Sequence, residues 1–101
     1  MTNKKKEEIK FQEIVGENIE KYRMARGMSL EELAYSSQLD DKNILKLEHG
    51  QQSPMAFTIA RLAKALEIEP NALYEGTEKY IEVLPHVPNP KRRRRKKQKP
   101  V

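Results

Sequence analysis

The chain has 101 residues, 35% of them charged, with no cysteine and a formal net charge of +5. This length suits one small domain with tails, and the lack of cysteine excludes a disulfide framework, a thiolate zinc site and an iron–sulfur cluster. No apolar run approaches the 18 residues that a membrane span needs, and no apolar stretch follows the N-terminal lysines, so a soluble cytosolic chain is expected.

The positive charge is unevenly placed. Residues 91–101 hold eight cationic side chains and no anionic one, leaving residues 1–90 with a net charge of −3. Four zones follow. Residues 1–10 are charged and read as a flexible, frayed or weakly helical extension. Residues 11–76 carry nearly all the apolar periodicity. Residues 77–90 contain prolines, and residues 91–101 have the composition of a disordered polybasic tail.

Phe11, Val15, Ile19 and Tyr22 recur at helical spacing, with Ile14 beside them, and Arg26 then Gly27 mark the end of a first helix. Ser29-Leu30-Glu31-Glu32 is a capping box opening a short second helix, with Met28 and Leu33 at the staple positions and Leu30, Leu33 and Ala34 inward. Asp40 is the expected cap of a third helix, stapled by Leu39 and Ile44, with Leu47 also inward and Gly50 as its stop. Ser53-Pro54 reads as N-cap and first residue of a fourth helix that buries Phe57, Ile59, Ala60, Leu62, Ala63 and Leu66. Pro70 opens a fifth helical turn with Ala72, Leu73 and Tyr74, closed by Gly76. Tyr80–Leu84 is the one candidate strand, confined to an edge by Pro85. The expected fold is an all-α, five-helix bundle.

The second and third helices are short and joined by Ser37-Gln38-Leu39, a spacing that suits a helix-turn-helix. Ser29-Leu30-Glu31-Glu32-Leu33-Ala34, Ile44, Leu47-Glu48-His49-Gly50, Pro54 and Leu62-Ala63-Lys64-Ala65-Leu66 together resemble the phage repressor/Cro-type helix-turn-helix family, over about residues 14–75. The resemblance implies a lambda-repressor-like domain that binds double-stranded DNA as a homodimer on a palindromic site. It also implies that helix 40–49 lies in the major groove, so the protein would act on the nucleoid as a transcriptional regulator, a repressor first of all. The same fold serves antitoxins and restriction–modification controllers, which remain alternatives, as does an adaptor module whose tail holds nucleic acid without sequence preference.

Carried over by position, the base-contacting residues are Asp41, Lys42, Asn43 and Lys46. Lys can donate to guanine, Asn can pair with adenine, and Asp can accept from cytosine. The implied phosphate contacts are Ser29, His49, Gln51, Gln52 and Ser53, and the implied structural ion pair joins Arg23 to Glu48. Three positions depart from the family pattern. Leu30 stands where Gln is common, Gln38 where Gly is common, and Asp41 brings negative charge toward DNA. Residues 11–75 carry seven positive and eleven negative charges, poor electrostatics for a DNA reader. The tail residues Lys91, Arg92, Arg93, Arg94, Arg95, Lys96, Lys97 and Lys99 would supply non-specific attraction to phosphates.

No metal site, cofactor or enzymatic activity is expected. His49 and His86 have no ligand-spaced partners, Ser36, Ser37 and Ser53 lack a base, and no glycine loop could cradle a phosphate.

Overall fold

The computed structural model describes residues 3–81 and residue 83. Four α-helices follow one another: α1 (Asn3–Ala25), α2 (Leu30–Ser37), α3 (Asp41–Glu48) and α4 (Ala56–Leu66). Two 3-10 turns complete the order, Pro70–Tyr74 and Glu78–Tyr80. Helix α1 packs on α3 and on the first 3-10 turn, while α2 packs on both α3 and α4.

The core is one cluster drawn from every helix: Val15 and Ile19, Leu33, Ile44 and Leu47, then Ile59, Leu62, Ala63 and Leu66, with Leu73 from the 3-10 turn. Helices α1, α3 and α4 contribute residues three or four apart, the spacing that keeps side chains on one face, and α2 contributes Leu33. Phe11, Tyr22, Met28, Leu30, Ala34 and Leu39 pack around this cluster, so both staple pairs reach it.

Local chemistry sets the ends of the middle helices. The Ser29 hydroxyl accepts from the Glu32 amide at 3.0 Å, and Glu32 returns by accepting from the Ser29 amide at 2.8 Å. Asp40 accepts from the Asn43 amide at 3.3 Å. All four helices close on a left-handed residue, Gly27, Gln38, Gly50 or Glu67. At each, the following backbone folds back on the last turn, as in the bonds from Gly27 to Met24 and from Met28 to Arg23.

The structure departs from the sequence-based expectations in four places. Helix α1 begins at Asn3, not near Phe11. Its first turns are Lys and Glu, residues of high helix propensity that need no apolar face to extend an existing helix. The expected fifth helix is a 3-10 turn, with the Ala72 amide bonded to the Glu69 carbonyl three residues back. The five residues Pro70–Tyr74, closed by Glu75, form a single short 3-10 piece.

The fourth helix starts at Ala56 with Met55 at the N-cap position and no side-chain cap, so Ser53 and Pro54 stand outside it. That start turns Phe57 and Ala60 outward, and Phe57 is 69% exposed. The Arg61 guanidinium lies over the Phe57 ring at 5.0 Å and donates to the Ser37 carbonyl. Lastly, Tyr80 closes a 3-10 turn and only Ile81 has extended backbone, so no strand forms among the described residues. The polybasic segment 91–101, and the rest of the proline-containing stretch, lie outside the described residues.

Candidate nucleic-acid interface

Helix α3 is two turns long, and its two sides differ in character. Ile44, Leu47 and Glu48 face the body and are buried. Lys42, Asn43, Leu45 and Lys46 are exposed and Asp41 is half-buried. Among the described residues, no hydrogen bond or ion pair engages the side chains of Lys42, Asn43 or Lys46. All four sequence-predicted base-contacting residues therefore share the outer part of one short helix whose first turn is fixed by the Asp40 cap.

Behind this face sits the ion pair between Arg23 and Glu48. The guanidinium donates twice to the carboxylate, Nε to Oε2 at 2.7 Å and Nη2 to Oε1 at 3.0 Å, and its Nη1 reaches the Met28 carbonyl at 2.8 Å. Glu48 is 3% exposed and Arg23 13% exposed by side chain. The bond to Glu48 raises the Arg23 pKa above its ordinary value against the opposing effect of burial, so the guanidinium stays charged. One side chain thus ties the end of α1, the loop before α2 and the end of α3. The close contact of α1 with α3 depends on Gly16, where a β-carbon would stand 2.3 Å from the Leu47 carbonyl oxygen.

The turn between α2 and α3 uses Gln38 at φ 59° and ψ 41°. The left-handed conformation expected from the family's usual glycine is therefore adopted by a residue with a side chain. Ser37, buried beside it, sends its hydroxyl to the Leu33 carbonyl at 2.7 Å.

The residues expected at phosphates occupy two places. Ser29 lies at the start of α2, where its oxygen accepts from Glu32 and its own hydrogen stays available to donate. His49, Gln51, Gln52 and Ser53 lie together between α3 and α4, with His49, Gln51 and Ser53 exposed. Ser53 differs from the rest, because its hydroxyl donates to the Gln12 side-chain carbonyl at 3.1 Å. The Gln12 amide nitrogen in turn donates to the Gly50 carbonyl at 3.1 Å.

Two residues near this surface escaped the sequence reading. Gln12 bonds across 38 and 41 positions, which no local pattern encodes. Tyr35, in the last turn of α2, is 87% exposed, and its signal was an aromatic side chain out of phase with Leu33 and Ser37.

A capped two-turn helix presented on a buried ion pair, with a tight left-handed turn before it, defines a helix-turn-helix reader. The helix-turn-helix domain family matches residues 16–79. The chain belongs to that family, in its phage repressor/Cro-type branch, a family of DNA-binding regulators.

Among solved structures, the restriction-modification controller protein C.AhdI from Aeromonas hydrophila is 36% identical, over 62% of this chain and 96% of that one, with a TM-score of 0.61. The wild-type restriction-modification controller protein C.Esp1396I is 28% identical, over 69% of this chain and 91% of that one, with a TM-score of 0.60. An HTH_3 family transcriptional regulator from Vibrio cholerae shares the fold at 22% identity and a TM-score of 0.66, over 71% of this chain and 41% of that one. A comparison with curated protein sequences returns no match.

Proposed function

We propose that this protein is a sequence-specific regulator of transcription that binds a palindromic DNA site as a homodimer and represses from it. In this reading α3 enters the major groove and Asp41, Lys42, Asn43 and Lys46 meet base edges. Ser29 and the loop 49–53 hold phosphates on either side. The observation that carries the reading is the outer side of α3: Lys42, Asn43 and Lys46 are exposed, with no side-chain bond among the described residues, on a helix held by the Arg23–Glu48 pair. Helix α4 supports it, since its start has no side-chain cap and so leaves first-turn amides for an outside acceptor. The basic tail adds sequence-blind attraction, and the nucleoid is the place of action.

Within this class, a restriction–modification controller is the specific reading favoured by the 36% identity to such a protein along almost its whole length. Such a role would place the operator beside the genes it governs.

Selection of bound duplexes from random DNA, followed by binding of the Lys42→Ala, Lys46→Ala double variant, tests the proposal. Selected sites should be two-fold symmetric, with half-sites about 34 Å apart. The double variant should lose preference for them while keeping its fold. Specific binding that survives the double change would remove α3 as the reader. Sedimentation of the free chain and of its complex gives the number of copies per site.

A further inference from the structure

We infer that Gln12 is a positioning residue for DNA-backbone binding, acting through the loop between α3 and α4 without touching DNA. The inference rests on the reading of residues 49–53 as the phosphate-facing loop. Helix α1 starts at Asn3, whereas the family match begins at residue 16, so more than three turns of helix precede the matched domain. Gln12 belongs to that added stretch. Its side chain is half-buried against the loop and both ends of its amide are used there.

The geometry is a bracket. Nε2 donates to the carbonyl of Gly50, and Oε1 accepts from the hydroxyl of Ser53, each at 3.1 Å. Gln51 and Gln52 lie between those two anchor points. The loop also rests directly on α1: Gly50 has φ +70°, and a β-carbon there would come within 3.0 Å of the Glu13 Cα. A four-residue arch without regular secondary structure would otherwise lose conformational freedom when it met phosphate. One glutamine pinning both feet of the arch removes that loss in advance, the general route by which preorganisation strengthens binding. The Ser53 hydrogen is spent on Gln12, so Ser53 serves as an anchor. Gln51 and Gln52, with the backbone they carry, are the phosphate-facing groups of this loop.

The test uses the full chain, a duplex selected for tight binding, and a scrambled duplex of equal length. Gln12→Ala and Ser53→Ala should each weaken binding to both duplexes by a common factor, about five- to tenfold for one such preorganising bond. The ratio between the duplexes should stay unchanged. The salt slope should stay unchanged, because the bracket and the loop it holds are uncharged and the slope counts phosphates neutralised by cations. Joined in a double variant, the two changes should cost little more than either alone, because they cut the same bracket.

Unchanged affinities in a folded Gln12→Ala protein would overturn the inference. So would a loss confined to the selected duplex, which would mean that Gln12 acts through α3. Should Gln12→Ala fail to fold, Gln12→Met decides, since it keeps side-chain volume against the loop and removes both hydrogen bonds of the bracket. A wild-type chain with no preference between duplexes would sink the regulator reading alone; a common loss on Gln12→Ala would still support the bracket.

Discussion

Gly16 shows how a single missing side chain can decide the position of a recognition helix. The backbone of α1 comes so close to the end of α3 that a β-carbon at residue 16 would sit 2.3 Å from the Leu47 oxygen and 2.7 Å from the Glu48 oxygen. Neither obstacle is a flexible side chain, so helices must separate to admit a methyl group. Gly16→Ala should therefore destabilise the domain by at least the ~1–3 kcal/mol typical of overpacking, although alanine favours helix. For a domain of this size a melting temperature about 4–8 °C lower per kcal/mol follows, measured by circular dichroism. Parting the helices would also stretch the Arg23–Glu48 pair, whose 2.7 Å contact starts about two helical turns further along α1. At the tyrosines, Tyr22 donates to the Glu75 carboxylate at 3.0 Å, and that bond raises its pKa above the ordinary value of 10.0. A pKa raised in the folded state gives stability that is complete below pH 10 and lost as pH climbs through the folded value. The difference in melting temperature between wild type and Tyr22→Phe should accordingly stay constant from neutral pH to about pH 10 and close above it.

At the scale of elements, the helix ends separate what local sequence encodes from what tertiary contact imposes. The Ser29–Glu32 box, the Asp40 cap and the glycine stops at 27 and 50 are all bonds within one turn, and each was readable from residue type. Gln38 and Glu67 close α2 and α4 in the same left-handed conformation, with φ of 59° and 58°, yet neither is a residue that prefers it. The Gln38 conformation was foreseen only through the resemblance to a family with glycine there, and Glu67 carried no signal at all. Periodicity marked α4 as helical and placed Ile59, Leu62, Ala63 and Leu66 correctly inside, but drew the apolar stripe too wide. It therefore placed Phe57 inside, where the uncapped start at Ala56 turns it out. The bracket formed by Gln12 was invisible for a different reason, since it spans α1 and a loop 38 residues away. These differences lead to a test. Gln38→Gly should raise stability by about 1 kcal/mol through relief of the left-handed backbone, read as a higher melting temperature with unaltered DNA affinity. Glu67→Gly should gain less, because Glu67 also accepts from Arg26 at 3.2 Å.

Taken whole, the chain keeps its net positive charge apart from the helix-turn-helix. The folded stretch 11–75 carries a net charge of −4, and its outward cations on α3 are Lys42 and Lys46. The eight cations of residues 91–101 are where long-range attraction to DNA would come from. A chain ending at Pro90 should bind every duplex more weakly, and its salt slope should fall by up to about 7. Its preference among duplexes should persist, because base edges and not phosphates carry sequence. An unchanged slope would show that the tail takes no part in binding.

The buried side of α3 consists of Ile44, Leu47 and Glu48 alone. The other side chains of that helix are half-buried or exposed, and among the described residues no side-chain bond ties Lys42, Asn43 or Lys46 to the body. On the proposed reading, addressing and folding are written on opposite sides of the same eight residues. Exchanging positions 42, 43 and 46 for those of another regulator should then change the preferred operator and leave the melting temperature unaltered, which would put new specificities a few surface substitutions away.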